Sequence, residues 1–148
     1  PRRLSSLLPD SFGPKDLGVS SALMEPQNHR LALKKSPRDP LVAEALRAAN
    51  MSYAPYTRAY SGVALLTARG RVFRGPYAEN AAFNPSLPPL EAALVSLKIC
   101  GGRYDEIRRA VLVEVEGAAT SQVCSTRAVL ESIAPSVPLE IRLAKKRT

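Results

Sequence analysis

The sequence holds no tryptophan, and aromatic residues make up only 5% of its 148 residues. A core in this chain must therefore be built from aliphatic side chains and alanine. Only two cysteines, Cys100 and Cys124, are present, and they do not form a close pair. This excludes a disulfide scaffold and favours a reducing compartment, so we expect a cytoplasmic protein. No apolar run approaches the roughly 20 residues that a membrane span needs, and we expect no membrane partner.

The single histidine, His29, leaves little room for proton-transfer chemistry or for a histidine-rich metal site. His29, Cys100 and Cys124 are spaced too irregularly to indicate a three-ligand metal site. The favoured interpretation is two buried thiols and a surface histidine. The sequence also lacks G-x-G-x-x-G, a P-loop, C-x-x-C and G-x-S-x-G, so none of these motifs indicates a function.

Acidic residues are the scarcer charged class: 13 Asp and Glu stand against 21 Lys and Arg, which gives a net charge of +8. A basic balance raises the prospect of nucleic acid or another acidic partner. Two short basic clusters, Lys34-Lys35 and Lys145-Lys146-Arg147, stand out, but neither is interleaved with aromatic residues. We interpret them as a solvated basic surface with a basic tail.

The first 38 residues are predicted to form a linker or wrapping arm. Pro9, Pro14, Pro26 and Pro37 interrupt this segment and prevent long helices and central strands. One short helix is predicted from Asp16 to Met24. The segment carries several apolar residues that need a surface to pack on, so we expect an ordered arm docked on another domain. The chain begins without an initiator methionine, which we interpret as a fragment or processed piece of a longer protein.

Residues 39–148 are predicted to form one domain with regular alternation of helices and strands. Asp39-Pro40 is typical of a helix start, with the aspartate as N-cap and proline in the first turn. The pattern predicts helix 40–50, a hairpin of strands 63–66 and 71–75, helix 90–99, strand 110–116, helix 121–133 and strand 139–143. This order predicts an α/β fold: a three-layer α/β/α sandwich around a mixed sheet.

Two polar segments are unusual for connecting sequence. Ser52–Thr57 leads into the first predicted strand, and Tyr77–Pro85 lies between a strand and a helix. A carboxylate, an amide and an aromatic ring on such a loop can form a polar ligand site. Glu79 and Asn80 could equally bond the backbone of their own loop, and the residues alone leave both possibilities open.

The stretches Tyr53–Leu65 and Tyr77–Leu94 resemble the cytidine deaminase family. Leu8–Leu17 resembles the linker that precedes the C-terminal domain in the large two-domain members, and Tyr77–Leu90 resembles that domain specifically. The resemblance implies hydrolytic deamination of cytidine or deoxycytidine to uridine or deoxyuridine. In that family a Zn²⁺ held by His or Cys and two further Cys makes the attacking hydroxide, while a glutamate moves protons.

This chain departs from the family at every position that carries the chemistry. Under the resemblance, the zinc ligands fall on Pro88, Val123 and Thr126, and the catalytic glutamate falls on Leu90. Cys124 lies one position out of register. Proline, valine and threonine do not serve as zinc ligands. The resemblance thus implies the zinc-less, non-catalytic C-terminal domain, with no catalytic residue and no metal in this chain. Zn²⁺ is expected in the missing catalytic N-terminal domain.

The resemblance also implies where this chain contributes to function. In the large enzymes the full chain forms a homodimer, and a loop after the second strand closes a neighbour's active site. Ala82 and Phe83 would then line the partner chain's nucleoside pocket, and Phe12 would pack near the bound base. Glu79 and Asn80 are a possible remnant of a ribose site. The alternatives are a freestanding nucleoside-binding protein without turnover and a nucleic-acid-binding module, although nucleic acid is not the expected partner.

Overall fold

The computed structural model describes residues 3, 6–82 and 84–147. Within them lie three α-helices and five β-strands, with short 3-10 turns at Pro14–Leu17 and Tyr104–Glu106. The elements in chain order are β1 (Leu31–Ala32), α1 (Pro40–Asn50), β2 (Ser61–Thr67), β3 (Val72–Pro76), α2 (Pro89–Ile99), β4 (Ile107–Val115), α3 (Val123–Ile133) and β5 (Leu139–Lys146). No helix in these residues is long and apolar enough to cross a membrane.

The strands form one mixed sheet in the order β1-β5-β4-β2-β3. β2 pairs antiparallel with both β3 and β4, β4 pairs parallel with β5, and β1 pairs antiparallel with β5. The parallel pair requires a crossover, which α3 provides. β1 was not predicted: it lies within the segment assigned to the arm, and it joins the sheet at one edge.

Two apolar clusters lie on opposite faces of the sheet, which confirms the predicted three-layer α/β/α architecture. One cluster packs α1 against β2 and β4, and its buried members include Leu41, Ala45, Ala64, Val111 and Val113. The other packs α2 and α3 against the opposite face, and its buried members include Val63, Leu65, Leu90, Leu97, Leu112 and Leu130. Because Trp is absent and Phe is rare, both clusters are mainly aliphatic, as the composition predicts, and Phe73 is a buried aromatic member of the second.

Glycines let both helix layers come close to the sheet. A Cβ built at Gly62 of β2 would lie 2.2 Å from the backbone nitrogen of Ala49 in α1. A Cβ at Gly75 of β3 would lie 2.1 Å from the backbone oxygen of Pro89 at the start of α2. Any side chain at either position would therefore push a helix away from the sheet.

Most predicted boundaries lie within a few residues of those in the structure. Asp39 accepts a hydrogen bond from the Leu41 backbone at 2.9 Å and so caps α1. Gly70 and Gly101, with φ of 74° and 73°, lie at the hairpin turn and just after α2. The predicted helix from Asp16 to Met24 is wrong: Gly18, with φ of 70°, ends a 3-10 turn that spans only Pro14–Leu17.

Candidate functional site

The N-termini of α2 and α3 are the positions where the family resemblance places the metal chemistry. α2 starts after Pro88, which has no side chain that could cap it, and Leu90 in its first turn is fully buried. α3 starts at Val123, and Thr126 one turn later is also fully buried. The Thr126 hydroxyl has no hydrogen-bond partner in the described residues. Both helix starts are thus lined by side chains that serve packing.

A carboxylate satisfies the backbone at the start of α3. Glu114, near the end of β4, is buried and accepts a hydrogen bond from the Gln122 backbone at 3.0 Å. The Ser121 hydroxyl donates to the same carboxylate at 3.0 and 3.1 Å, and Ser121 accepts from the Val123 backbone. Gln122 is the N-cap residue of α3 and makes no side-chain cap hydrogen bond, so the backbone at this helix start is bonded by Glu114 and Ser121 instead. The role of Glu114 was not predicted, because its only signal in the sequence is an acidic residue that follows the apolar run 110–113 of β4.

The residues at these two helix starts do not fit a zinc ion. Within residues 3, 6–82 and 84–147, no group of three or more His, Cys, Asp or Glu side chains is arranged to hold a metal. Both cysteines are free and exposed, so the expectation of two buried thiols is wrong. His29, expected at the surface, is half-buried instead.

Glu79 joins the two polar segments that the sequence analysis singled out. Its side chain is buried, and one carboxylate oxygen accepts hydrogen bonds from the backbones of Tyr56 at 2.8 Å and Thr57 at 3.2 Å. The backbones of the two segments are also bonded directly, with Tyr53 donating to Tyr77 at 2.8 Å and Glu79 donating to Tyr53 at 2.7 Å. The carboxylate therefore has a backbone-binding role in this structure.

Asn80 and Ala82 lie on the loop between β3 and α2. The Asn80 side chain accepts a hydrogen bond from the Ala82 backbone at 3.0 Å, and the Asn80 backbone donates to the Ser86 hydroxyl at 2.9 Å. Asn80 and Ala82 are both exposed to solvent. The third residue predicted here, Phe83, lies outside the described residues. The structure therefore brings Glu79, Asn80 and Ala82 onto one loop but buries only the glutamate.

The arm presents Phe12 to solvent, with 71% of its surface exposed. Later arm residues contact the body: the Tyr53 hydroxyl donates to the Ser21 backbone at 3.1 Å, the His29 ring stacks on Tyr60 with centroids 3.5 Å apart, and Leu31 is buried in the cluster beneath α1. His29 Nε2 donates to the Ser52 backbone oxygen at 2.6 Å. Burial of the imidazole, together with nearby Lys146, lowers the pKa of His29 despite this hydrogen bond.

Known proteins match this chain along most of its length. The family described as "Cytidine and deoxycytidylate deaminase zinc-binding region" matches residues 4–127. Cytidine deaminases from Yersinia pestis (strain Pestoides F) and Yersinia pseudotuberculosis (serotype O:1b) are each 53% identical over 133 residues, which is 90% of this chain and 45% of the relative. The chain therefore spans about half the length of these relatives.

Solved structures show the same fold. The cytidine deaminase of Burkholderia pseudomallei matches with a TM-score of 0.64 and 26% identity, over 72% of this chain and 85% of that one. The cytidine deaminase of Mycobacterium leprae matches with a TM-score of 0.58 and 26% identity, over 71% of this chain and 87% of that one. Both its sequence and its α/β/α fold show that this chain belongs to the cytidine and deoxycytidylate deaminase family.

Proposed function

We propose that this chain is the non-catalytic half of a cytidine deaminase that hydrolyses cytidine or deoxycytidine to uridine or deoxyuridine. In this proposal a second, catalytic domain holds Zn²⁺ and performs the reaction. This chain supplies a dimer interface and part of the nucleoside pocket of a partner chain. The full-length protein would then perform the family reaction, while the residues described above would take no part in catalysis.

One observation carries the proposal. At the starts of α2 and α3, side chains that serve packing stand at the positions where the family chemistry needs metal ligands and a proton-transferring glutamate. Leu90 and Thr126 are both fully buried, and Pro88 and Val123 bear no group that binds a metal or moves a proton. The α3 start is also already occupied by the Glu114 carboxylate. No hydrolytic step can be written with these residues alone.

The exposed parts of the chain support a role at a neighbour's pocket. Phe12 and Ala82 are both exposed, on the arm and on the loop before α2. A nucleoside pocket needs apolar walls that exclude water, and such walls need no catalytic group. Phe12, Ala82 and Phe83 are the residues we assign to this wall.

The first test measures the chain alone. Purified protein should contain well below one zinc per chain and should form no uridine from cytidine in a strain background that lacks host deaminase. Tightly held stoichiometric zinc, or turnover that follows the protein through purification, would refute the non-catalytic role.

The second test asks whether the chain serves a partner. We would replace the matching segment of the Yersinia pseudotuberculosis cytidine deaminase with this chain and measure deamination. Phe12→Ala and Phe83→Ala should each lower kcat/KM by about 5- to 150-fold, since a truncated pocket wall costs on the order of 1–3 kcal/mol. Ile99→Ala, at an exposed apolar residue outside both the arm and the loop before α2, is the matched control. If both phenylalanine variants behave like the control in an active chimera, the pocket-wall assignment is wrong.

A further inference from the structure

A wide groove lies on the α1 side of the molecule, at the sheet edge formed by β1 and β5. Its volume is about 930 Å³. Its walls come from the segment after β1, the first turn of α1 and the last residues of β5. This volume falls in the range of sites that hold ligands of drug or cofactor size. The groove is separate from the helix starts and from the Glu79 loop, so neither the family chemistry nor the proposed function uses it.

The fold brings together in this groove the two basic clusters that the sequence analysis noted as separate. β1 pairs with β5 in the register Leu31 to Lys146 and Ala32 to Lys145. Because the pairing is antiparallel, Lys34-Lys35 follow Ala32 along β5 in the direction away from Arg147. Lys34-Lys35 and Lys145-Lys146-Arg147, more than a hundred positions apart in the chain, nevertheless line the same groove. The expectation of a basic tail is wrong for Lys145 and Lys146, which belong to strand β5.

Basic side chains outnumber acidic ones in the lining of the groove. Seven basic and three acidic residues line it, so it carries a net charge of about +4, half of the +8 of the whole chain. All three acidic side chains already have partners. Asp39 and Glu140 pair with Arg109, at 2.5 and 3.2 Å, and Glu116 pairs with Lys145 at 3.0 Å.

Five cations remain without a carboxylate partner among the residues that the structure describes, although all five line one groove: Lys34, Lys35, Arg38, Lys146 and Arg147. Like charges crowded around one cavity repel one another, and that repulsion is relieved when a multiply charged anion binds. Lysine and arginine are the side chains that recognise phosphate.

We propose that this groove binds a small polyphosphate, a ligand that presents a run of about three phosphate groups. Such a ligand carries several negative charges along an extended chain and so matches five cations that are spread along one groove, which a single phosphate does not. Its source is either a nucleoside triphosphate or inorganic polyphosphate. Apolar lining residues, among them Leu33, Val42 and Leu143, offer a surface for the uncharged part of a nucleotide.

The composition of the groove disfavours single-stranded nucleic acid as the ligand. Proteins that bind single strands combine cations with aromatic side chains on which the bases stack. Among the described residues, none of those that line this groove is aromatic. Lysines at a sheet edge also prevent strand addition, which would explain Lys145 and Lys146. It would not explain Arg38 and Arg147, which lie outside the strands.

Titration calorimetry on this chain, without magnesium and at low salt, tests the proposal. The probes are inorganic tripolyphosphate, adenosine triphosphate and a single-stranded RNA oligonucleotide of eight residues. Both small probes should bind with one site per chain, and affinity should fall as salt rises. Tighter binding of adenosine triphosphate identifies a nucleotide as the source, and equal or weaker binding identifies inorganic polyphosphate. Absence of binding by both, or tighter binding of the oligonucleotide than of tripolyphosphate, would overturn the proposal.

A matched pair of double variants separates a built site from general positive charge. Lys34→Gln with Lys146→Gln removes one cation from each cluster and should weaken tripolyphosphate binding by about 10- to 100-fold. Lys15→Gln with Arg127→Gln removes the same charge from exposed positions outside the groove and should change affinity less than about 3-fold. Thermal melting of both variants verifies folding. If both weaken binding equally, the chain attracts anions only through its net charge and the groove is not a site.

Discussion

The arm and the body of this molecule are ordered by different forces. In the body, the apolar side chains of both clusters are almost completely buried on either side of the sheet. In the arm, six large apolar side chains are 46–91% exposed: Leu7, Leu8, Phe12, Leu17, Leu23 and Met24. The body is stabilised by burial, whereas only the end of the arm, at Leu31 and Leu33, packs into a core cluster and its earlier apolar side chains stay exposed. A surface of this kind is typical of a segment that contacts another protein.

The contacts that attach the arm lie in its last part: Leu31 is buried in the cluster beneath α1, and polar bonds converge near the end of α1. The Asn50 side chain accepts from the Leu31 backbone at 2.6 Å and donates to the Leu31 oxygen at 3.2 Å. The His29 backbone donates to the Asn50 oxygen at 3.3 Å, and the His29 ring lies on Tyr60. Attachment therefore depends on the last part of the arm, and the earlier part is free to change its contacts. Four variants test this division, beginning with the largest expected effect.

Gly75→Ala should disrupt the body most. The new Cβ would lie 2.1 Å from the Pro89 oxygen, and backbone must move to relieve that contact. We expect a loss of about 3 kcal/mol or more in the free energy of unfolding, measured by urea denaturation. Gly70→Ala is the control: its φ is 74°, but nothing lies near the added Cβ, so a loss of about 1 kcal/mol is expected. Equal losses would mean that the close approach of α2 is not required.

Glu79→Ala should cost less, because it removes an acceptor and no core volume. The backbone N–H groups of Tyr56 and Thr57, which donate partly buried hydrogen bonds to Glu79, would lose their acceptor. We expect a loss of about 1–3 kcal/mol by urea denaturation. Glu79→Gln keeps one acceptor oxygen and should lose less than the alanine variant. An equal loss for both variants would show that the negative charge, and not the acceptor oxygen alone, holds the loop.

Asp39→Ala should cost about 1 kcal/mol, because the α1 N-cap is lost. The hydrogen bond from Arg109 is the largest cause of the lowered pKa of Asp39. A lowered pKa means that the carboxylate stabilises the folded state above about pH 4, and that this contribution is lost as pH falls below that value. Asp39→Asn keeps a cap but loses the ion pair, so its stability should approach that of the wild type as pH falls toward 3. A difference that does not change with pH would contradict the ion-pair explanation.

His29 should affect only the arm, with the smallest effect on global stability. Burial, the largest cause, lowers the pKa of His29, so neutral imidazole is the form that the attached arm favours. Attachment is then complete above about pH 6.5 and weakens as pH falls below it. Limited proteolysis of the arm should be faster at pH 5.5 than at pH 7.5, with an unchanged melting temperature of the body. His29→Phe keeps the stacking on Tyr60 and should remove the pH dependence.

The sequence was sufficient to predict the body because its elements carry strong local signals. Asp39-Pro40 marks a helix start, alternating Arg71 to Gly75 marks a strand, and Gly101 marks a helix end. Two features of the arm lacked such signals, and neither was predicted correctly. β1 has only two residues and exists because β5 pairs with it, while the predicted helix from Asp16 to Met24 is interrupted by Gly18.

The candidate site was predictable only in part, for a similar reason. Glu79 is notable in the sequence, yet its partners Tyr56 and Thr57 lie more than twenty positions away and meet it only in the folded chain. Residues without catalytic capacity, such as Leu90 and Thr126, became informative only through their position at helix starts. The groove was the least predictable feature, because its two basic clusters are separated by almost the whole body.

The pairing of β1 with β5 has a consequence for how the molecule is made. β5 leaves the ribosome after the other four described strands, and it lies between β1 and the rest of the sheet. Leu31 therefore cannot form its strand pair until Lys146 has been synthesised. At translation rates of about 5–20 residues per second, this wait is on the order of ten seconds. Nascent chains that stall before residue 139 would have neither the sheet edge nor the groove, and their arm would remain open to chaperones.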